Sequence, residues 1–146
     1  MSASGITGTG SQPTVLVVDD EAITRSLVAR KVQQLGARTI EAEDGSIAWQ
    51  RLQVETVHLA IVDLEMPNVD GFELLKCMRE HSPTKDIPVV VLTSHEDAAA
   101  IEHAVVAGAT SYLTKPLKWS MFGEHIRHLL NLSTVASAAK TSLLCA

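Results

Sequence analysis

Three stretches of this chain are apolar at every position rather than at every second one: Val15-Leu16-Val17-Val18, Leu59-Ala60-Ile61-Val62 and Val89-Val90-Val91-Leu92. Side chains on a strand point alternately to opposite faces, so an unalternating run must bury both of them. Strands of that kind belong in a parallel sheet with helices packed above and below. Each run stops at a polar group: Asp19-Asp20 after the first, Asp63 after the second, Thr93-Ser94 after the third.

Between and beyond these runs the apolar residues recur at helical spacing. Residues 1–12 are mostly Ser, Gly and Thr, which reads as a flexible leader. Thr14 to Val18 is the first strand. Ile23, Leu27, Val28, Val32 and Leu35 mark a helix stopped by Gly36. Arg38 to Ala42 is a weaker strand, and Asp44 is positioned to cap a helix carrying Ile47, Ala48, Leu52 and Val54. The third strand runs from about His58 to Val62. Asp70 is placed to cap the next helix, whose face carries Phe72, Leu75 and Met78. A fourth strand is expected from Ile87 to Leu92, then a helix with Ala98, Ile101, Ala104 and Val105 ending at Gly108. Ser111 to Leu113 is a short fifth strand. The last helix carries Phe122, Ile126, Leu129 and Leu130, and residues 133–146 read as a flexible tail. The fold class is therefore α/β, a doubly wound (βα)5 arrangement with a five-stranded parallel sheet, flavodoxin-like, in one domain over 13–132.

Composition removes several functional classes. A net charge of -5 without a basic block argues against direct nucleic-acid or membrane-surface binding. Two cysteines, Cys77 and Cys145, cannot build a disulfide framework and fit a reducing, cytoplasmic setting. Residues 1–10 lack the basic and apolar regions of a signal peptide, and no apolar run is long enough to span a bilayer. Cys77, within an apolar helix, reads as a small buried residue, and Trp49 and Trp119 as packing or partner residues rather than ligands. His125 and His128 lie three apart with no third ligand in view, a weak basis for zinc.

The strand ends are where chemistry concentrates. In an open α/β sheet the crevice lies outside the carboxyl ends of the strands, and there the chain would gather Asp19, Asp20, Asp63, Thr93 and Lys115. Two like charges 4 Å apart cost about 4 kcal/mol at an effective dielectric near 20. Three carboxylates persist together if a divalent cation neutralises them, and hard oxygen ligands with room for water suit Mg2+. Cation, hydroxyl and ammonium then form a cradle for a phosphoryl group, with Asp63 as its acceptor.

Taken in order, Asp19-Asp20, Asp63 followed by Met66-Pro67 and Asp70-Gly71, Thr93-Ser94, Gly108-Ala109, Tyr112 and Lys115-Pro116 resemble the receiver domain of a two-component response regulator. The likeness runs from about Thr14 to Leu130. It implies that Asp63 is the phosphoacceptor, fed by the phosphohistidine of a histidine kinase or phosphotransfer protein. It implies Mg2+ held by Asp20, the Asp63 carboxylate and the backbone carbonyl of Glu65, with Asp19 acting through a metal-bound water. Thr93 matches the hydroxyl that follows the phosphoryl group, Lys115 its ion-pair partner, and Tyr112 a switch aromatic that turns inward when Thr93 moves. Output would pass to a downstream protein target through the fourth helix, fifth strand and fifth helix. Such a domain is not an enzyme toward other molecules; it catalyses its own phosphorylation and slow dephosphorylation.

Departures from the family pattern carry information as well. Transcription-factor receivers place acidic residues just before the switch aromatic and use them to dimerise; Thr110-Ser111 stand there, so a monomer or weak dimer is expected. The run Lys115-Pro116-Leu117-Lys118-Trp119 is similar to receivers attached to cyclic-di-GMP domains. Glu65 and His95 flank the expected path of attacking water. Two other classes fit the residues less well. A haloacid-dehalogenase-like phosphatase wants a second Asp two residues after the nucleophile, where Glu65 stands. A flavodoxin-like flavin site needs a donor-lined loop after the first strand, where Asp19-Asp20-Glu21 would repel the phosphate.

Overall fold

The computed structural model of the chain describes residues 12–64, 66, 71–94 and 98–131. The proposed leader up to residue 11, the proposed tail, the Asp70 cap, Glu65 and His95 lie outside the described residues. Five strands, β1 (Thr14–Val18), β2 (Arg38–Ala42), β3 (Leu59–Asp63), β4 (Val89–Thr93) and β5 (Ser111–Thr114), make one sheet. They alternate with α1 (Ala22–Gln33), α2 (Gly45–Val54), α3 (Gly71–Glu80) and α4 (Ala98–Ala107), and a fifth helix, α5, covers 119–131. Every pairing is parallel, in the order β2-β1-β3-β4-β5. The order reverses between β1 and β3, which is where an open sheet of this kind leaves a crevice.

The unalternating runs do bury both faces. In β1, Val15 and Val17 join a cluster with Val28, Val32, Phe122 and Ile126 of α1 and α5. Leu16 and Val18 join the opposite cluster with Leu52, Leu74, Leu75 and Met78 of α2 and α3. Fully burying a side chain of this size is worth about 1.5–3 kcal/mol, so each central strand is held from above and below. β5, at the edge, is only partly covered, and Tyr112 on it is 43% exposed.

Local signals hold where they rest on one group. Asp44 caps α2 by accepting from the Ile47 amide at 2.8 Å. Gly36, after α1, has φ 97°, the left-handed stop that glycine takes without strain. The α5 stripe of Phe122, Ile126, Leu129 and Leu130 is buried throughout.

The helix stripes of α1, α2 and α4 are narrower than expected. Ile23 is 75% exposed and Leu27 44%, while Val28, Ala29 and Val32 face the sheet. Successive helical residues stand roughly 100° apart, so a stripe centred between Val28 and Val32 turns Leu27 outward on the side away from Ala29. Val54 and Val105 are exposed as well, the former in the last residue of α2. Of α4 only Ala104 is fully buried. Cys77 is half-buried rather than sealed in the core. β3 begins at Leu59 and includes Asp63, and β4 runs Val89–Thr93, so each starts one or two residues later than expected and takes in the polar residue at its end.

Candidate functional site

β1 and β3 are neighbours at the reversal, with Val18 opposite Val62. The residue after each is an acid, so the pairing itself sets Asp19 beside Asp63. Asp20, one step along, completes a group in which one carboxylate oxygen from each acid lies within 4.8 Å of the other two. Asp19 and Asp63 are buried, at 1% and 4% exposure, and Asp20 is open to solvent. Thr93, at the end of β4, is buried at 1%. The chain then reaches the site again after β5, where the Lys115 amide donates to the Thr93 carbonyl at 2.8 Å. The Lys115–Pro116 peptide is cis.

Lys115 extends its ammonium into the cluster, 3.2 Å from Asp63 Oδ2 and 3.4 Å from Asp19 Oδ2. Burial works against its charge, but Asp63 and Asp19 outweigh that and push its pKa above the ordinary lysine value. It is therefore an ammonium at neutral pH. It does not complete the site: three carboxylates against one ammonium leave two negative charges, and no cation among the described residues pairs with Asp20. The other Asp19 oxygen, Oδ1, accepts from the Glu21 amide at 2.9 Å.

The donor set suits a small divalent cation. Its ligands are hard carboxylate oxygens, its net charge is opposite, and the cleft has space for water. That cleft holds about 240 Å3 and is lined by Asp19, Asp20, Glu21, Asp63, Ser94 and Lys115. A water occupies about 30 Å3 in the liquid, so several fit beside an ion. A permanently sealed salt link would have denied the cation its place; Lys115 instead has a side chain 26% exposed on a flexible stem.

Of the residues expected at the site, Asp19, Asp20, Asp63, Thr93 and Lys115 are brought to this one end of the sheet. The Glu65 carbonyl lies outside the described residues. Tyr112 sits on β5 opposite Val91 and is 43% exposed. His125 is not near the acids; its Nε2 is 2.6 Å from Ser111 Oγ on β5.

Sequence reasoning did not place Glu21 or Ser94 in the cleft wall, and it named Gly71 only as part of the Asp70-Gly71 motif, without a packing role. A Cβ built on Gly71 would stand 2.6 Å from the Asp63 carbonyl oxygen and 2.8 Å from Leu64 Cα. Only glycine lets the start of α3 approach the end of β3 this closely. The Asp70-Gly71 pair was visible, but the approach that requires it was not.

Residues 15–127 match the family model described as the response regulator receiver domain. The Arabidopsis thaliana two-component response regulator ARR17 is 37% identical over 129 residues, 80% of this chain and 84% of that protein. Among solved structures, the Vibrio cholerae chemotaxis protein CheY4 superposes with a TM-score of 0.77 at 28% identity, covering 82% of this chain and 99% of that one. The receiver domain of sensor histidine kinase PA1611 from Pseudomonas aeruginosa, described with a magnesium ion coordinated in its active-site cleft, superposes at 0.76 with 21% identity, over 83% and 99%. On these matches the chain belongs to the family of response regulator receiver domains.

Proposed function

We propose that this chain is a phosphorylation-controlled switch in which Asp63 receives a phosphoryl group from the phosphohistidine of a histidine kinase or phosphotransfer protein. One observation carries the reading: three acids and a lysine meet at the sheet reversal with two negative charges left over. The magnesium reported for the Pseudomonas receiver is consistent with the same use of this donor set.

Asp20, Asp63 and the carbonyl of Glu65 would hold Mg2+, with Asp19 reached through a bound water. When bound, the ion supplies charge neutralisation for the phosphoryl oxygens. Asp63 attacks phosphorus with one carboxylate oxygen; the P–N bond to the donor imidazole breaks, and that nitrogen keeps the electron pair. An acyl phosphate results. Lys115, already drawn to Asp63, pairs with an oxygen of the new group, and the Thr93 hydroxyl donates to another. Hydrolysis of the acyl phosphate resets the switch, so the domain is not an enzyme toward other substrates.

Drawing Thr93 toward the phosphoryl group vacates space toward which Tyr112 turns, and the α4-β5-α5 face changes for a downstream protein target. The protein would work in the cytoplasm as a monomer or weak dimer, since Thr110 and Ser111 offer no acids for intermolecular salt bridges.

Phosphotransfer from a panel of autophosphorylated histidine kinases tests this directly. Label should pass to the parent chain with Mg2+ present and be lost with EDTA or in Asp63→Asn. Label retained by Asp63→Asn would reject the assignment.

A further inference from the structure

Arg25 makes contacts that its position on α1 does not explain. It lies four residues after the helix N-cap, Glu21, and its own amide donates to the Glu21 carbonyl. A cation near that end opposes the helix dipole. Its guanidinium nevertheless turns back toward the strand ends. Nη1 donates to the backbone carbonyl of Asp19 at 2.9 Å, and Nε pairs with Glu41 Oε1 on β2 at 3.1 Å. The Asp19 amide is itself tied to the Ala42 carbonyl, next to Glu41, at 3.1 Å. The turn that carries Asp19 and Asp20 is thus fastened to β2 twice, once by backbone and once through Arg25.

As an element of stability the pair is weak. Its side chains are 18% and 39% exposed, and pairs this open to water add about 0–1 kcal/mol. What the guanidinium fixes is direction. Asp19 Oδ1 is held by the Glu21 amide within the same turn, so fixing the Asp19 carbonyl sets the path by which the chain reaches Asp20.

We infer that Arg25, braced by Glu41, is a positioning residue: it holds the Asp19–Glu21 turn so that the exposed Asp20 carboxylate stays on the cluster and cation affinity is kept. The affinity part rests on the Mg2+ reading above; the holding of the turn does not. Lysine keeps the charge but has no planar fork with which to reach carbonyl and carboxylate together. Charge alone predicts no change in Mg2+ affinity for Arg25→Lys, because the cation is kept, and an additive rather than a redundant effect for Glu41→Gln.

The experiment compares the full chain with Arg25→Lys, Glu41→Gln and the double variant. Glu21 amide exchange is measured without metal, Mg2+ affinity by titration calorimetry, and melting temperature alongside. Arg25→Lys should speed Glu21 exchange several-fold and weaken Mg2+ binding about five- to tenfold, with the melting temperature nearly unchanged. Glu41→Gln should weaken binding by about a third as much on a logarithmic scale, and add nothing in the Arg25→Lys background. Unchanged exchange in Arg25→Lys, or Mg2+ affinity within twofold of the parent or tighter, would overturn the inference. A parent chain that binds no Mg2+ would reject the metal reading and the affinity part with it, leaving Glu21 exchange to decide whether Arg25 holds the turn.

Discussion

At the amino-terminal end of the sheet, the Arg79 side chain lies among backbone carbonyls. Its Nε donates to Gly108 at 2.9 Å, and Nη1 to Ile87 at 2.7 Å and Lys85 at 3.0 Å. Burial lowers its pKa below the ordinary arginine value, partly offset by Asp86, and the carbonyl dipoles solvate the charge that remains. At the carboxyl-terminal end, Asp19 and Asp63 are more deeply buried, and with Asp20 beside them three acids face one lysine, a formal excess of two negative charges. One end is satisfied within the protein and staples two loops, the one before β4 and the one before β5. The other is complete only with something added. Buried charge that the fold satisfies reads as architecture, and buried charge that it leaves in excess reads as a site.

The comparison breaks most visibly at Asp63. Asp63→Asn removes the acceptor oxygen's charge and should abolish the shifts that Mg2+ with beryllofluoride, a phosphoryl mimic, produces at Thr93 and Tyr112 in NMR spectra. A response that survives the substitution would move the site elsewhere. Next in size is Gly71→Ala. Its Cβ would meet backbone atoms of Asp63 and Leu64, which cannot swing aside, so β3 or α3 must shift. The cost should reach the upper end of the about 1–3 kcal/mol typical of overpacking, with weakened Mg2+ binding as well. Loss of stability without loss of metal affinity would mean that the approach serves packing alone.

The opposite end should lose stability only. Arg79→Ala leaves the Gly108, Lys85 and Ile87 carbonyls to water, costing about 1–3 kcal/mol in chemical denaturation with Mg2+ affinity unchanged. Gly108→Ala should cost a similar or smaller amount, for two reasons: φ is +115°, and a Cβ there would press on Arg79 Cγ at 2.7 Å. Without Arg79 the second reason disappears, so the double variant should lose less than the sum of the two. Strict additivity would mean that backbone conformation alone sets the need for glycine at 108.

The difference between the two ends also separates what the sequence makes legible from what it does not. Asp19, Asp63 and Thr93 each follow an apolar run, and Lys115 follows the short fifth strand, so strand reading alone delivers them to one edge. Arg79, Arg25 and Glu41 act across 29, 6 and 16 residues through contacts with no local pattern. Ile23 and Leu27 misled because a helical stripe of large apolar residues looks like a core face. α1 instead presents Val28, Ala29 and Val32, and small Ala29 carries little weight in such a reading. Tyr112 could not be given an orientation from sequence, since an edge strand leaves either face open to it.

The smallest effect expected on stability is the most telling about sign. Asp20 is exposed and has no cationic partner among the described residues, while two buried acids stand beside it. Asp20→Ala removes repulsion from two acids against attraction to one lysine, so in metal-free buffer the melting temperature should stay level or rise by about a degree. That small gain should fade as salt rises, because an exposed charge is screened. Excess Mg2+ reverses the ranking: a ligand that binds only the folded state stabilises in proportion to its affinity. The parent chain should then gain melting temperature and the variant much less, so the two curves cross as Mg2+ is added. A variant that melts clearly below the parent without metal would show that Asp20 is already held by an attraction within the fold. The carboxyl-terminal cleft would then be as self-sufficient as the Arg79 staple at the other end.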